Sequence, residues 1–278
     1  MSTILSVRLA QLEASAQVTG LITTAYFLGQ VAGSRLGHRL MARSGQIRGF
    51  SAMAAVASMS ILLVPLVPDP LAWIVLRFIA GVALVLAFLV MESWLNMSAD
   101  NTTRGSVFGA YMVVVYLGMT GGQGLLGVLD IASFEAFSIA GMLAMAAILP
   151  LALTQRAQPE LPPPVRLRLI DLVRISPVGI AAAVASGALT GAMFGLFPFF
   201  AADAGLQGGQ IATFMAAVVG GGLVLNWPLG RLSDVFDRRL IIGVAAIAIA
   251  SASAVIALVD RSLTTLVLAG GVLGGATA

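Results

Sequence analysis

The sequence predicts an all-α, polytopic membrane protein, and three observations predict it. Only 10% of the 278 residues are charged while 59% are hydrophobic, and the mean hydropathy is +1.01. Apolar runs long enough to cross a bilayer recur along the chain, and the arginines collect in every second connection between them. A soluble domain carries about 25% charged residues, so this chain lacks the charge to cover a water-facing surface. Its solvent is lipid. The 31 glycines agree, because membrane helices approach one another through small residues.

A spanning helix needs roughly 20 mostly apolar residues. Eight stretches qualify, at 18–34, 49–67, 71–91, 105–129, 136–154, 176–201, 209–230 and 239–259, and a ninth begins near Leu263 and runs to Ala278. The length of these runs, and the lack of ten-residue alternating segments, select helices over strands. Between the fifth and sixth lies TQRAQPELPPPVRLRLIDLVRIS. Three consecutive prolines stiffen it toward an extended polyproline conformation. The following RLRLIDLVR spaces Leu167, Ile170 and Val173 for a short amphipathic helix on the membrane face. The predicted organisation is an N-terminal helical bundle over 1–155, a Pro/Arg-rich cytoplasmic linker over 156–175 and a C-terminal bundle over 176–278.

The arginines orient the bundle. Arg35, Arg39, Arg43, Arg48, Arg104, Arg156, Arg166, Arg168, Arg174, Arg231, Arg238 and Arg239 lie in alternate connections, while Asp69, Asp130, Glu135, Asp203 and Asp260 mark the opposite side. By the positive-inside rule the arginine-rich side is cytoplasmic. The first helix then runs from outside to inside. A pI near 10.2 invites a nucleic-acid partner, but arginines scattered between apolar runs are topology signals, so none is expected. A single histidine (His38) and no cysteine or lysine leave no base or ligand cluster for hydrolysis and no P-loop lysine. Neither an enzyme nor a metal or other cofactor is expected.

Shifting the chain by 192 residues lays Ala25 on Ala217, Gly29 on Gly221, Arg39 on Arg231 and Leu40 on Leu232. Both windows are a glycine-bearing helix entering a cytoplasmic arginine loop, and repeats of several helices are the usual build of secondary transporters. The second loop reads Gly230-Arg-Leu-Ser-Asp-Val-Phe-Asp-Arg-Arg239. It resembles the major facilitator superfamily signature G-x-L-(A/S)-D-R-x-G-R-R at Gly230, Leu232, Ser233, Asp234, Arg238 and Arg239, and departs at Val235 and Asp237. The first loop keeps Leu40, Arg43 and Gly45, with Ala42 in the acidic place. Arg77-Phe-Ile-Ala-Gly81 resembles the superfamily's fourth-helix R-x-x-x-G. Gly109, Gly118 and Gly122 resemble its fifth-helix antiporter motif, with Gln123 where that motif has proline. MESWLN at 91–96, RGSVFGAYM at 104–112 and NWPLGRLSDVFDRR at 226–239 look like its YcaD-type branch.

This resemblance implies two six-helix bundles around a central cavity, here represented by the family's helices 2 to 10. Residues 1–15 then match an outer loop, and the chain is expected to be shortened at both ends. The implied function is secondary transport of a small solute by alternating access, coupled to protons, by a monomer in the bacterial inner membrane. The alternative is a non-transporting membrane protein, either a sensor or an inactive truncated product. In the cytoplasmic loops, Arg39, Arg43, Gly45, Gly230, Asp234, Arg238 and Arg239 are candidates for a latch between states. An aspartate there can face a neighbouring helix N-terminus; an ordinary positive-inside loop is the competing reading.

Intramembrane charges are functional candidates by default. Glu92 follows Arg77 by 15 residues, about 22 Å along a helix, so the two cannot pair. Glu92 is expected to meet Arg43 or Arg104 at a cytoplasmic gate, or to be an interfacial acid. Arg77, one turn after Trp73, is a candidate for coupling or for snorkelling to the outer interface. Gln30, Tyr111, Tyr116, Gln123, Thr190 and Asn226 are candidate cavity residues, with plain interhelical hydrogen bonds as the competing role.

Overall fold

The computed structural model describes residues 1–100, 103–130, 133–153, 169–259 and 262–277; the side chains of residues 38, 39, 41, 42, 169, 227, 230, 231, 233–235, 238 and 239 lie outside that description. Most of the predicted linker over 156–175 therefore lies outside the described residues. In chain order the helices are α1 (Ser2–Gln11), α2 (Ala16–Ser44), α3 (Gln46–Leu63), α4 (Pro70–Ser98), α5 (Arg104–Leu126), α6 (Phe134–Ala146) and α7 (Ile148–Ala152). They continue with α8 (Leu169–Ile175), α9 (Pro177–Gly195), α10 (Phe197–Asp203), α11 (Gly208–Val235), α12 (Arg238–Leu258) and α13 (Leu263–Thr277). A 3-10 turn, Val64–Leu66, extends α3.

Local chemistry sets these boundaries. Asp69 caps α4, its carboxylate accepting from the Leu71 amide at 3.1 Å, with Pro70 in the first turn. Ser133 and Ser176 cap α6 and α9 in the same way. Gln207 and Gln210 form a reciprocal capping box on α11. Pro150 breaks the span 134–152, because its ring conflicts with the carbonyl four residues back, that of Ala146, where α6 ends. Gly45, at φ 75° and ψ 168°, joins α2 to α3 in a backbone region open almost only to glycine.

Among the described residues, seven segments are long and apolar enough to cross a membrane: 46–66, 70–98, 104–126, 134–152, 177–203, 208–226 and 240–258. The stretch predicted at 18–34 is α2, which is less apolar because Gln17, Thr19, Thr23, Thr24, Gln30 and Ser34 interrupt it. Its 29 residues nevertheless extend about 43 Å, and it packs along α4. Large exposed apolar residues such as Leu28, Val75, Leu149, Val184, Ile247 and Leu258 are a liability in water. In a bilayer they meet their solvent.

One expectation is corrected. Residues 1–15 do not form an outer loop: Ser2–Gln11 is a helix with Thr3, Ile4, Leu5, Ser6, Val7 and Leu9 buried. Its signal in the sequence is a run too short to span a membrane, which is why length alone misses it. The 192-residue shift explains the helix. It carries the start of α2, Ala16, onto the start of α11, Gly208, and Gln11 onto Asp203, the last residue of α10. Thus α1 stands where α10 stands in the other half.

The same shift orders the packing. A methyl group at Gly29 would strike the Phe78 carbonyl, and one at Gly81 the Tyr26 carbonyl, so α2 and α4 touch backbone to backbone. In the second half Gly221 meets the Gly271 carbonyl and Gly274 the Val218 carbonyl, on α11 and α13. Shifts of 192 for the first helix and 193 for the second superpose these pairs. The repeat is a reciprocal glycine crossing.

The main apolar core joins both halves at the arginine-poor, outer end: Ile4, Leu9, Trp73, Leu126 and Phe137 pack with Met193, Ile211, Phe214 and Leu266. A second cluster, Phe50, Ala54, Ala87 and Val90, lies toward the cytoplasmic ends of α3 and α4 and belongs to the first half alone. Among the described residues, the halves are thus sealed together at the outer end. Trp73 closes the α3–α4 turn there, its indole N–H donating to the Val67 carbonyl at 2.6 Å and the Val64 carbonyl at 3.1 Å. Trp73→Phe is expected to cost roughly 2 kcal/mol by losing those bonds and leaving a void, read as a lower unfolding midpoint in detergent.

Candidate functional site: a polar cavity around Arg77

Seven residues into α4, Arg77 lies on the face turned toward α1 and α2. It is only 4% exposed. Its Nη2 donates to Ser2 Oγ at 2.9 Å, and its guanidinium carbon stands 4.2 Å from the centre of the Tyr26 ring. Its Nε–H is buried with no hydrogen-bond partner among the described residues. Snorkelling to the outer interface is therefore not what this side chain does. It points inward, and α1 covers it.

Arg77 lines a cavity of about 480 Å³. Polar groups reach it from α1 (Ser2, Thr3), α2 (Thr23, Tyr26, Gln30), α5 (Gln123) and α9 (Thr190), while Phe27, Leu126, Leu143 and Phe194 give it apolar walls. The two halves share it, since Thr190 and Phe194 come from the second. Gln123 meets Thr3 at 3.1 to 3.2 Å, either group serving as donor. Tyr26 packs edge-on against Phe27, which in turn lies against Gly191.

Of the six cavity candidates, Gln30, Gln123 and Thr190 line this space. Tyr116 and Asn226 are half-buried away from it. Tyr111 is half-buried on α5 with Glu92 as its charged neighbour, away from this space. Glu92 is exposed near the cytoplasmic end of α4, and so are Arg43 and Arg104; the acid's neighbour is the Tyr111 phenol of α5. The side chains of Arg39, Gly230, Asp234, Arg238 and Arg239 lie outside the described residues. Along the backbone, α11 ends at Val235 and α12 begins at Arg238, so only Phe236 and Asp237 separate them.

Sequence reasoning missed Ser2, Thr3 and Tyr26. The first two sat in the segment read as a loop. Tyr26 had a usable signal: it precedes Gln30 by four residues, so both fall on one face of α2.

Two repeated halves, packed in lipid around a shared polar cavity, define a class of multi-pass membrane protein. The chain belongs to the Major Facilitator Superfamily, whose family profile matches residues 1–278. It is 30% identical over 225 residues to an uncharacterized MFS-type transporter of Yersinia pestis, which covers 80% of this chain and 59% of the relative. It is likewise 30% identical over 227 residues to the uncharacterized MFS-type transporter YcaD of Escherichia fergusonii, covering 81% of this chain and 59% of that protein. The chain thus spans about three fifths of these relatives' length. Among solved structures, a nucleoside transporter, NupG, matches with a TM-score of 0.77 at 12% identity, covering 100% of this chain and 74% of that one. A D-xylose-proton symporter matches with a TM-score of 0.69 at 15% identity, covering 100% of this chain and 75% of that one. These likenesses establish the fold, and with the bacterial relatives they place the protein in the inner membrane.

Proposed function

We propose that the protein is a proton-coupled secondary transporter that moves a small solute by alternating access. The observation that carries this reading is the cavity itself. It lies between two repeated halves, holds a buried guanidinium and lies beneath an apolar core joining both halves at the outer end. Repeat-built transporters place their sites at such an interface. A seal at the outer end is the form that one state of a two-state rocking mechanism takes. The names of the relatives, and of the nucleoside and xylose carriers of the same fold, point the same way.

Coupling falls to Glu92. It is a carboxylate near the cytoplasmic end of α4, beside the Tyr111 phenol of α5. The cytoplasmic loop motif at Arg39, Arg43, Gly45, Gly230, Asp234, Arg238 and Arg239, with Arg104, serves in this reading as the latch of the opposite end. The protein acts as a monomer, with solute, protons and lipid as its partners.

The test is uptake of a panel of radiolabelled small metabolites into proteoliposomes under an imposed pH gradient. Uptake above protein-free liposomes, abolished by a protonophore, is the expected result. Uptake that survives the protonophore overturns proton coupling. No uptake of any compound favours the non-transporting alternative. Glu92→Gln is expected to lower gradient-driven accumulation by on the order of tenfold or more while sparing exchange at equal pH. Equal losses in both assays would remove Glu92 from coupling.

A further inference from the structure

We propose that the cavity is a monoanion site, in which a small carboxylate with an apolar body docks on the Arg77 guanidinium. This rests on the transport reading and names its substrate class.

The first ground is an unbalanced charge. Arg77 is 96% buried, since it is 4% exposed, yet its partners among the described residues are a hydroxyl and an aromatic ring. Among the described residues, no aspartate or glutamate lines the cavity. A buried ion without a counter-charge costs several kcal/mol, and proteins retain such ions where a ligand completes them. Here the Nε–H is left without a partner while Nη2 is held by Ser2. An arginine fork offers paired N–H groups matched to the two oxygens of a carboxylate.

The second ground is independent and comes from the repeat. The 193-residue shift that superposes Gly81 on Gly274 carries Arg77 onto Gly270, which packs against Phe214 and Val218. Tyr26, under the guanidinium, falls on Val218 under the 192-residue shift. The second half therefore fills this position with tight apolar packing, and the fold does not need an arginine there. The charge is an addition to the architecture, made only where the cavity lies.

The surroundings select the ligand. Gln30, Gln123 and Thr190 offer neutral hydrogen bonds, while Phe27 and Phe194 offer aromatic walls. One guanidinium balances one negative charge. About 480 Å³ holds a molecule the size of benzoate.

The experiment measures binding to the purified protein in nanodiscs, by calorimetry and thermal shift, of acetate, lactate and benzoate against acetamide, lactamide and benzamide. At least one carboxylate is expected to bind and stabilise the protein while its amide does not. Arg77→Gln is expected to weaken that binding by roughly 30-fold or more, with Arg77→Lys recovering part of it. If every amide matches its acid, or no acid binds, or Arg77→Gln binds the acid unchanged, the anion site is overturned. The acid-versus-amide comparison is made on the unaltered protein, so it decides the matter even where a variant does not fold. The proteoliposome assay separates the two readings. Transport of a neutral solute that Arg77→Gln leaves intact sinks the anion site alone. Carboxylate binding without any flux sinks transport alone.

Discussion

Replacing Gly81 with valine is expected to abolish accumulation of folded protein in the membrane. At Gly81 the α4 backbone lies against the Tyr26 carbonyl and the Gln30 amide of α2. A first side-chain carbon already collides there, and valine adds two more. The obstacle is backbone, so no rotamer change relieves it. Overpacking in a core that can relax costs about 1–3 kcal/mol; here the helices must separate, and the loss is expected at or above that range. Lipid cannot offset it, because association in a bilayer depends on close packing and not on a hydrophobic force. Gly274→Val, in the corresponding place against Val218 of α11, is expected to do the same. Gly187→Val, at an exposed position with open space around it, is the control and should behave as the unaltered protein. Fluorescence-detected size-exclusion of detergent extracts reads all three. A monodisperse Gly81→Val protein at normal yield would overturn the reciprocal glycine crossing.

That crossing shows what the sequence made legible. Apolar run length placed most helix ends within about three residues, because a bilayer imposes its thickness on every span, although α4 runs on to Ser98 and α11 to Val235, past the predicted 91 and 230. The main exception is α2, which continues as helix through the arginines to Ser44. The positive-inside rule stops a membrane segment there, but a helix does not end where the membrane does. The repeat rested on four identities in glycine-rich sequence. Only the packing shows that Gly29 and Gly221 recur because each faces a backbone carbonyl of the next-but-one span. The partner glycines Gly81 and Gly274 obey a shift of 193 instead of 192, so a single-offset comparison could not align them.

The site was less legible, for a physical reason. Composition marks which residues are costly in lipid, and Arg77 was found that way. It does not say which way a helix face turns. Arg77 near the outer end could snorkel or face inward, and the choice was made by α1, a segment too short to register as a span. Glu92 was likewise visible as an intramembrane-edge acid, but its neighbour Tyr111 lies on a helix whose rotation only the fold sets. Tyr111, Tyr116 and Asn226 looked like cavity residues because they are polar. Polarity alone does not separate a cavity from a helix contact.

Substituting Gly195 with leucine is expected to open the outer seal and shift the protein toward the outward-open state of the proposed cycle. Gly195, at the end of α9, is the point where both halves converge. Its carbonyl accepts from Ser6 Oγ of α1 at 2.9 Å, and a carbon added to it would meet the Thr23 side chain of α2, including Oγ1 at 2.6 Å and Cβ at 2.9 Å. Thr23 is β-branched and held by its own hydroxyl to the Thr19 carbonyl at 3.0 Å, so it yields little. Leucine is accommodated when the halves part. The contact exists only in the sealed state, so its loss biases the equilibrium instead of unfolding either half. Each 1.4 kcal/mol of destabilisation moves the population about tenfold. The chain has no cysteine, so a single Thr190→Cys reporter in the cavity can be added without background. Its labelling from outside by a membrane-impermeant maleimide is expected to accelerate about tenfold or more in the Gly195→Leu background. Labelling at an unchanged rate in a folded protein would show that the outer core is scaffold and that the gate lies elsewhere.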